Sequence, residues 1–147
     1  MISGILVTLG ALAAVPADSP KVELDVPSEV TAGTPVPMTL RVTNTSDRPL
    51  ELHLRGRPIA FDLVVRQSDG SVVWRRLAGA MIAMVLQLRT LSPGETLELT
   101  DAWPQQRTDG SPAAPGDYTV TGSLLTDSQA SLDSPPVPFR VLATRGR

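Results

Sequence analysis

An all-β architecture, an antiparallel β-sandwich of about seven to eight strands, is predicted by three features of this 147-residue sequence. Apolar side chains recur at every second position, turn-forming residues separate the apolar runs, and proline (14) and glycine (11) are both abundant. Strict alternation puts one face of a strand on a core and the other in water, the mark of antiparallel sheets.

The strands follow in order. Val22, Leu24 and Val26 alternate with Glu23 and Asp25; Met38, Leu40 and Val42 alternate with Thr39, Arg41 and Thr43. Leu50, Leu52 and Leu54 alternate with Glu51, His53 and Arg55, and Phe61, Leu63 and Val65 follow with a wetter opposite face. Asp69-Gly70 is the best hairpin signal, because both residues tolerate the positive φ of a tight turn; the strand after it ends at Trp74. Leu97 and Leu99 alternate with Glu98 and Thr100, in a strand ending at Trp103. Tyr118, Val120 and Leu124 alternate with Thr119, Thr121 and Ser123; Val137, Phe139 and Val141 alternate with Pro138 and Arg140. A proline cannot donate to a ladder, so Pro138 predicts an edge position for the last strand. Ala32–Pro35, Asn44–Asp47, Ser92–Glu95, Thr108–Ser111 and Pro115-Gly116 supply the other turns. The corner Pro115-Gly116-Asp117-Tyr118, with apolar Val120 two residues on, matches an immunoglobulin-like sandwich, where such a tyrosine hydrogen-bonds to upstream backbone.

One segment breaks the pattern. From Arg75 to Leu88 the chain is apolar without alternation, through Ala78, Met81, Ile82, Met84, Val85 and Leu86. It reads as a buried crossover; a helix or turn closing one end of the sandwich and a partner-facing patch are the alternatives.

Met1 to Ala17 carries no charged side chain, and Asp18-Ser19-Pro20-Lys21 makes a polar break. Val15 and Ala17 satisfy the small-residue rule, so residues 1–17 are expected to be a signal peptide cleaved after Ala17, with residues 18–147 the folded domain. The Lys or Arg usual near the start of a leader is missing. An uncleaved anchor is one alternative, although 17 residues of helix span only about 26 Å against about 30 Å of hydrocarbon. A buried first strand is the other. The domain is therefore expected to be exported (periplasmic, envelope-bound or secreted) if the leader is real, and cytoplasmic otherwise.

Thirteen Lys and Arg against fifteen Asp and Glu leave no basic face for nucleic acid or for a membrane surface. The absence of cysteine removes disulfides, thiolate metal ligands and thiol nucleophiles. His53 is the only histidine and by alternation shares the wet face with Glu51 and Arg55, without the neighbours of a base or metal ligand. There is no G-x-S-x-G elbow and no glycine-rich phosphate loop. No enzyme, cofactor or metal is expected. Asn44-Thr45-Ser46 fits a glycosylation sequon but is first of all a turn. Trp74 and Trp103 read as rings that plug the ends of the core, with exposed anchors for a partner as the alternative.

Phe61–Val65, Asp69-Gly70, Val73-Trp74-Arg75, the apolar stretch to Leu86-Gln87, Leu91–Glu95, Trp103, Asp109-Gly110 and Pro115–Gly122 occur in an order that resembles the BsuPI-type intracellular proteinase inhibitor domain. The Val42–Asp47 strand and turn suit it too, and the resemblance covers roughly Val36 to Leu124. It implies an immunoglobulin-like sandwich and a non-catalytic inhibitor that binds serine proteinases through loops. The family's founding members act inside the cell, and the family tends to show an aromatic residue where this chain has Met81, Met84 and Val85. No reactive-site motif transfers, so the binding residues are unassigned. Two proline-bearing loops, Pro104 to Pro115 and Asp127 to Pro138, are candidates for a stiff presented loop, although both read first as ordinary connections. The alternative function is an exported cell-envelope module that binds a protein or glycan partner without inhibiting anything.

Overall fold

The computed structural model describes residues 19–128 and 131–145. The leader, anchor and first-strand readings of residues 1–17 lie outside them. Eleven strands occur among the described residues: β1 (Lys21–Asp25), β2 (Glu29–Thr31), β3 (Val36–Thr43), β4 (Leu50–Arg55), β5 (Phe61–Gln67), β6 (Val72–Arg75), β7 (Leu86–Leu91), β8 (Thr96–Trp103), β9 (Gly116–Leu124), β10 (Leu132–Asp133) and β11 (Val137–Leu142). The class is the expected one. The strand number is higher because Glu29–Thr31, Leu86–Leu91 and Leu132–Asp133 also pair.

One sheet has the order β1-β3-β8 and a second the order β2-β11-β9-β5-β6, with β10 also on β9; β4 and β7 form a two-stranded ribbon. Every contact in the first sheet and in the ribbon is antiparallel, and the pairing of β2 with β11 is parallel. Alternation does what the sequence demands. Val36, Met38, Leu40 and Val42 of β3 are wholly buried, while Thr39, Arg41 and Thr43 face outward. Outside, Arg41 lies 3.1 Å from Asp25 on β1 and 3.0 Å from Glu98 on β8, pairs that lace three strands together.

The two large sheets close on an aromatic cluster. Trp103 of β8 meets Tyr118 of β9 edge-on at 5.3 Å and Phe139 of β11 edge-on at 5.9 Å, while Tyr118 and Phe139 stack at 5.8 Å. Such pairs are each worth about 0.5–1.5 kcal/mol beyond the area they bury. The Tyr118 hydroxyl donates to the carbonyl of Ala114, the tyrosine corner expected from Pro115-Gly116-Asp117-Tyr118. Burial pushes the Tyr118 phenol above its ordinary pKa, against the smaller pull of Arg107. Trp103 is fully buried and Trp74 packs half-buried at the edge of the core, so both plug it and neither is an exposed anchor.

Asn44 makes the corner that turns β3 into β4. Its side chain is buried, donates to the carbonyls of Arg48 (2.7 Å) and Leu91 (2.9 Å), and accepts from the Ser46 N–H (3.0 Å) and hydroxyl (2.7 Å). Its backbone bonds Glu95 and Gly94 in the opposite turn, so the β3–β8 pair continues as the β4–β7 ribbon. The sequon is thus a structural clamp with its amide fully used.

Pro138 corrects one expectation. β11 is not an edge strand as a whole, since it lies between β9 and β2. β2 covers only Arg140 to Leu142, however, and Arg140 donates toward β2 to the Ser28 carbonyl. By the two-residue repeat, the Pro138 nitrogen points to the same side, beyond the end of β2. The missing donor falls where the strand is locally an edge.

Candidate functional site

The apolar segment expected to be a buried crossover is instead the most exposed apolar part of the described surface. After β6, a turn closed by Ala78 N–H to Arg75 O (3.2 Å) and Ala80 N–H to Leu77 O (3.0 Å) delivers the chain to Met81. The start of this turn is held by the Leu77 N–H on the Asp62 carboxylate (3.1 Å) and the Arg76 N–H on Leu63 O (3.0 Å). The Arg76 guanidinium lies 2.6 Å from Asp101 on β8 and 3.9 Å above the Phe61 ring, closing the side of the sandwich.

The far end is fixed on Gly56. Its N–H donates to Val85 O (2.8 Å), and its carbonyl accepts from the Gln87 side chain (2.6 Å). Gly56 has φ +86°, and a Cβ there would sit 2.9 Å from Pro58 O and 3.2 Å from Ile82 Cγ2. Only glycine lets the loop approach this closely. Between the two anchors, the N–H groups of Met81, Ile82, Ala83 and Met84 donate to no other described residue. Met81 and Met84 are 100% and 104% exposed.

The exposed run continues onto β7. Register places Leu86 beside Arg55 and Leu88 beside His53 on the outer face of the ribbon, and Leu88 is 68% exposed. A hollow of about 370 Å³ lies between Arg55, Ile82, Met84, Leu86 and Asp127. Charged groups of both signs border the apolar centre, the arrangement of a small protein interface with a polar rim.

His53 is less isolated than alternation suggests. Its Nε2 lies 2.8 Å from Glu51 and its Nδ1 3.4 Å from Asp127, whose N–H donates to the His53 carbonyl (3.0 Å). Asp127 lies three residues beyond β9, so sequence spacing could not reveal it. With both ring nitrogens facing carboxylates, the imidazole ties β4 to the segment that follows β9, beside Leu88. Among the described residues, no group of three or more His, Cys, Asp or Glu side chains is placed to hold a metal ion.

The two proline-bearing loops are tied down. Pro104 to Pro115 folds back on itself through Arg107 N–H to Ser111 O (2.7 Å) and Ala113 N–H to Gln105 O (2.9 Å). Buried Gln105, at φ +56°, accepts from Gly33 N–H (3.1 Å) and donates to Thr31 O (2.9 Å) and Thr34 O (2.7 Å). Nothing local in the sequence signals that role. In the second loop, residues 129 and 130 lie outside the described residues. Its described part docks on β9, where buried Ser134 exchanges bonds with Gly122 at 2.8 and 2.9 Å. Another hollow, of about 520 Å³, opens beyond the end of β2, but there Arg140 is paired with Asp117 (2.8 Å) and Tyr118 with Ala114.

Comparison with known proteins gives the family. The BsuPI family, described as intracellular proteinase inhibitor, matches residues 22–129, which include the Gly56 anchor and the whole exposed run. No curated protein matches the chain. Among solved structures, a DNA-bound alkylpurine DNA glycosylase from Pseudomonas fluorescens is 14% identical with a TM-score of 0.46, over 84% of this chain and 30% of that one. A CARDB domain from Pyrococcus furiosus in complex with di-metal ions is 15% identical with a TM-score of 0.42, over 92% of this chain and 97% of that one. A glucose-bound β-glucosidase from Listeria innocua is 14% identical with a TM-score of 0.44, over 83% of this chain and 16% of that one. The chain thus spans under a third of the glycosylase and about a sixth of the glucosidase, and likenesses this distant say nothing of what it binds. The family match is of another kind, since it runs through the sandwich from the first strand to the end of β9: the chain belongs to the BsuPI family of intracellular proteinase inhibitors.

Proposed function

We propose that this chain inhibits a serine proteinase by laying the segment from Met81 to Leu88 along the enzyme's substrate cleft. One observation carries the reading: two fully exposed methionines and four N–H groups that donate to no described residue lie on a segment whose ends are fixed, at the Arg76–Gly79 turn and at Gly56. The segment bends at Met84, where the Val85 N–H bonds the Ala83 carbonyl at 2.8 Å; in peptide recognition main-chain bonds give affinity and side-chain pockets give selectivity. Burying Met81, Met84 and Leu88 contributes roughly 1.5–3 kcal/mol each. That gain survives association costs best when the loop is already ordered, and here anchoring on Gly56 does the work that disulfides do in other small inhibitors. The outward face of β7 extends the contact, and the mixed charges of Glu51, Arg55 and Asp127 form its rim.

The test is a titration of the purified protein against subtilisin-like and trypsin-like proteinases with a fluorogenic substrate. Competitive inhibition at or below micromolar protein is expected for at least one of them; unchanged rates across the panel would overturn the reading. Residues 1–17 are proposed to direct export, which would place the target outside the cytoplasm. N-terminal sequencing of the protein from its native cells tests this, with a mature chain starting at Asp18 expected and an intact Met1 contradicting it.

A further inference from the structure

We infer that Met81 and Met84 are a reversible oxidation site that switches the binding surface off. The chain has four methionines, and the three from Met38 onward divide sharply. Met38 is wholly buried in β3, whereas Met81 and Met84 stand fully in solvent at the centre of the apolar run. Leucine or isoleucine would cover a partner equally well. Methionine alone adds a thioether that a peroxide can reach.

The chemistry balances. A sulfur lone pair attacks the outer oxygen of a hydroperoxide, an S–O bond forms as the O–O bond breaks, and the proton on the transferred oxygen passes to the leaving alkoxide or hydroxide, which departs as the alcohol or water. The thioether becomes a sulfoxide, oxidised by two electrons. A thiol-dependent sulfoxide reductase reverses the step, forming water and a disulfide from two thiols. The sulfoxide is polar and chiral, and in a dry interface its oxygen needs a partner that an apolar pocket lacks. Because neither side chain contributes to the core, oxidation leaves the sandwich intact and changes only its contact surface.

This inference rests on the proposed inhibitory surface, and the test separates the two. The purified protein is treated with graded hydrogen peroxide. Peptide mass mapping then reads each methionine, and inhibition is titrated before and after, against the proteinase it inhibits best. Expected are one added oxygen at Met81 and at Met84 before any at Met38, an inhibition constant raised about tenfold or more, an unchanged melting temperature, and recovery with methionine sulfoxide reductases and dithiothreitol. The double variant M81L/M84L should show a before-to-after ratio near one, whatever its starting constant. Full oxidation at both positions with unchanged inhibition overturns the switch and leaves the inhibitor intact. So does an equal peroxide loss in M81L/M84L, or resistance of both methionines at doses that oxidise free methionine. Absence of inhibition before peroxide overturns both.

Discussion

Replacing Gly122 with alanine sets one methyl group against a close approach between the two large sheets. Gly122 lies on the core side of β9, in line with Tyr118, Val120 and Leu124, and its backbone is not in the left-handed region. Close approach is what requires glycine here. A Cβ would fall 2.9 Å from Leu40 Cδ1 on β3, 3.3 Å from Leu24 Cδ1 on β1 and 3.6 Å from Leu63 Cδ2 on β5. Carbon pairs prefer about 3.5–4.0 Å, so the first contact overlaps by more than half an ångström. Leu40 has no exposed surface into which to swing. Overpacking of this kind costs about 1–3 kcal/mol, and the lower chain entropy of alanine in the unfolded state offsets about 0.4–1 kcal/mol. The net loss is about 1–2 kcal/mol, a melting temperature lower by about 4–8 °C for a domain of this size. Leu40→Val has no δ-carbons and removes the 2.9 Å contact. In that background, Gly122→Ala should cost about 1 kcal/mol less, a coupling that a double-mutant cycle from urea melts reads directly. A neutral or stabilising Gly122→Ala, or a cost that Leu40→Val leaves unchanged, would refute this packing of β9 on β3.

Two further outcomes are expected. Asn44→Ala deletes four hydrogen bonds at the β3–β4 corner, among them those to the Arg48 and Leu91 carbonyls. It should cost about 2–3 kcal/mol in a urea melt, and a loss under 0.5 kcal/mol would contradict the clamp. Tyr118 is the only tyrosine, so the ultraviolet absorbance of tyrosinate follows it alone. Its phenol pKa is raised in the folded state, so the stability it contributes is fully present below the ordinary value near 10 and is lost as pH rises through the folded value. The titration midpoint should fall to the ordinary value in denaturant; equal midpoints in both conditions would contradict the buried corner.

Much of the fold was legible because its determinants are local. Period two along Val36–Thr43 and Gly116–Leu124 announces a half-buried strand whatever lies opposite, and Asp69-Gly70 specifies its own turn, closed by Gln67 N–H to Ser71 O. The tyrosine corner was readable for the same reason, since Tyr118 reaches only as far as Ala114. The candidate site was less legible because distant residues decide it. Apolar composition from Met81 to Leu88 argues for burial, and only the pinning of Val85 and Gln87 to Gly56 turns the run outward. His53 gains Asp127, and Gln105 gains Thr31 and Gly33, across more than seventy residues of sequence. Pro138 lay between the two cases: proline at an edge is a sound rule, but the edge is local because β2 is three residues long.

The most direct test of the proposed inhibitory surface is the inhibition constant of the triple variant M81D/M84D/L88D beside that of the unaltered protein. All three side chains are exposed, so the melting temperature should move by no more than surface changes usually do, about 0.5 kcal/mol in stability for each. Inhibition should weaken about a hundredfold or more, as three apolar contacts become buried charges. A triple variant that inhibits as tightly as the unaltered protein would mean that the proteinase is gripped elsewhere on the sandwich.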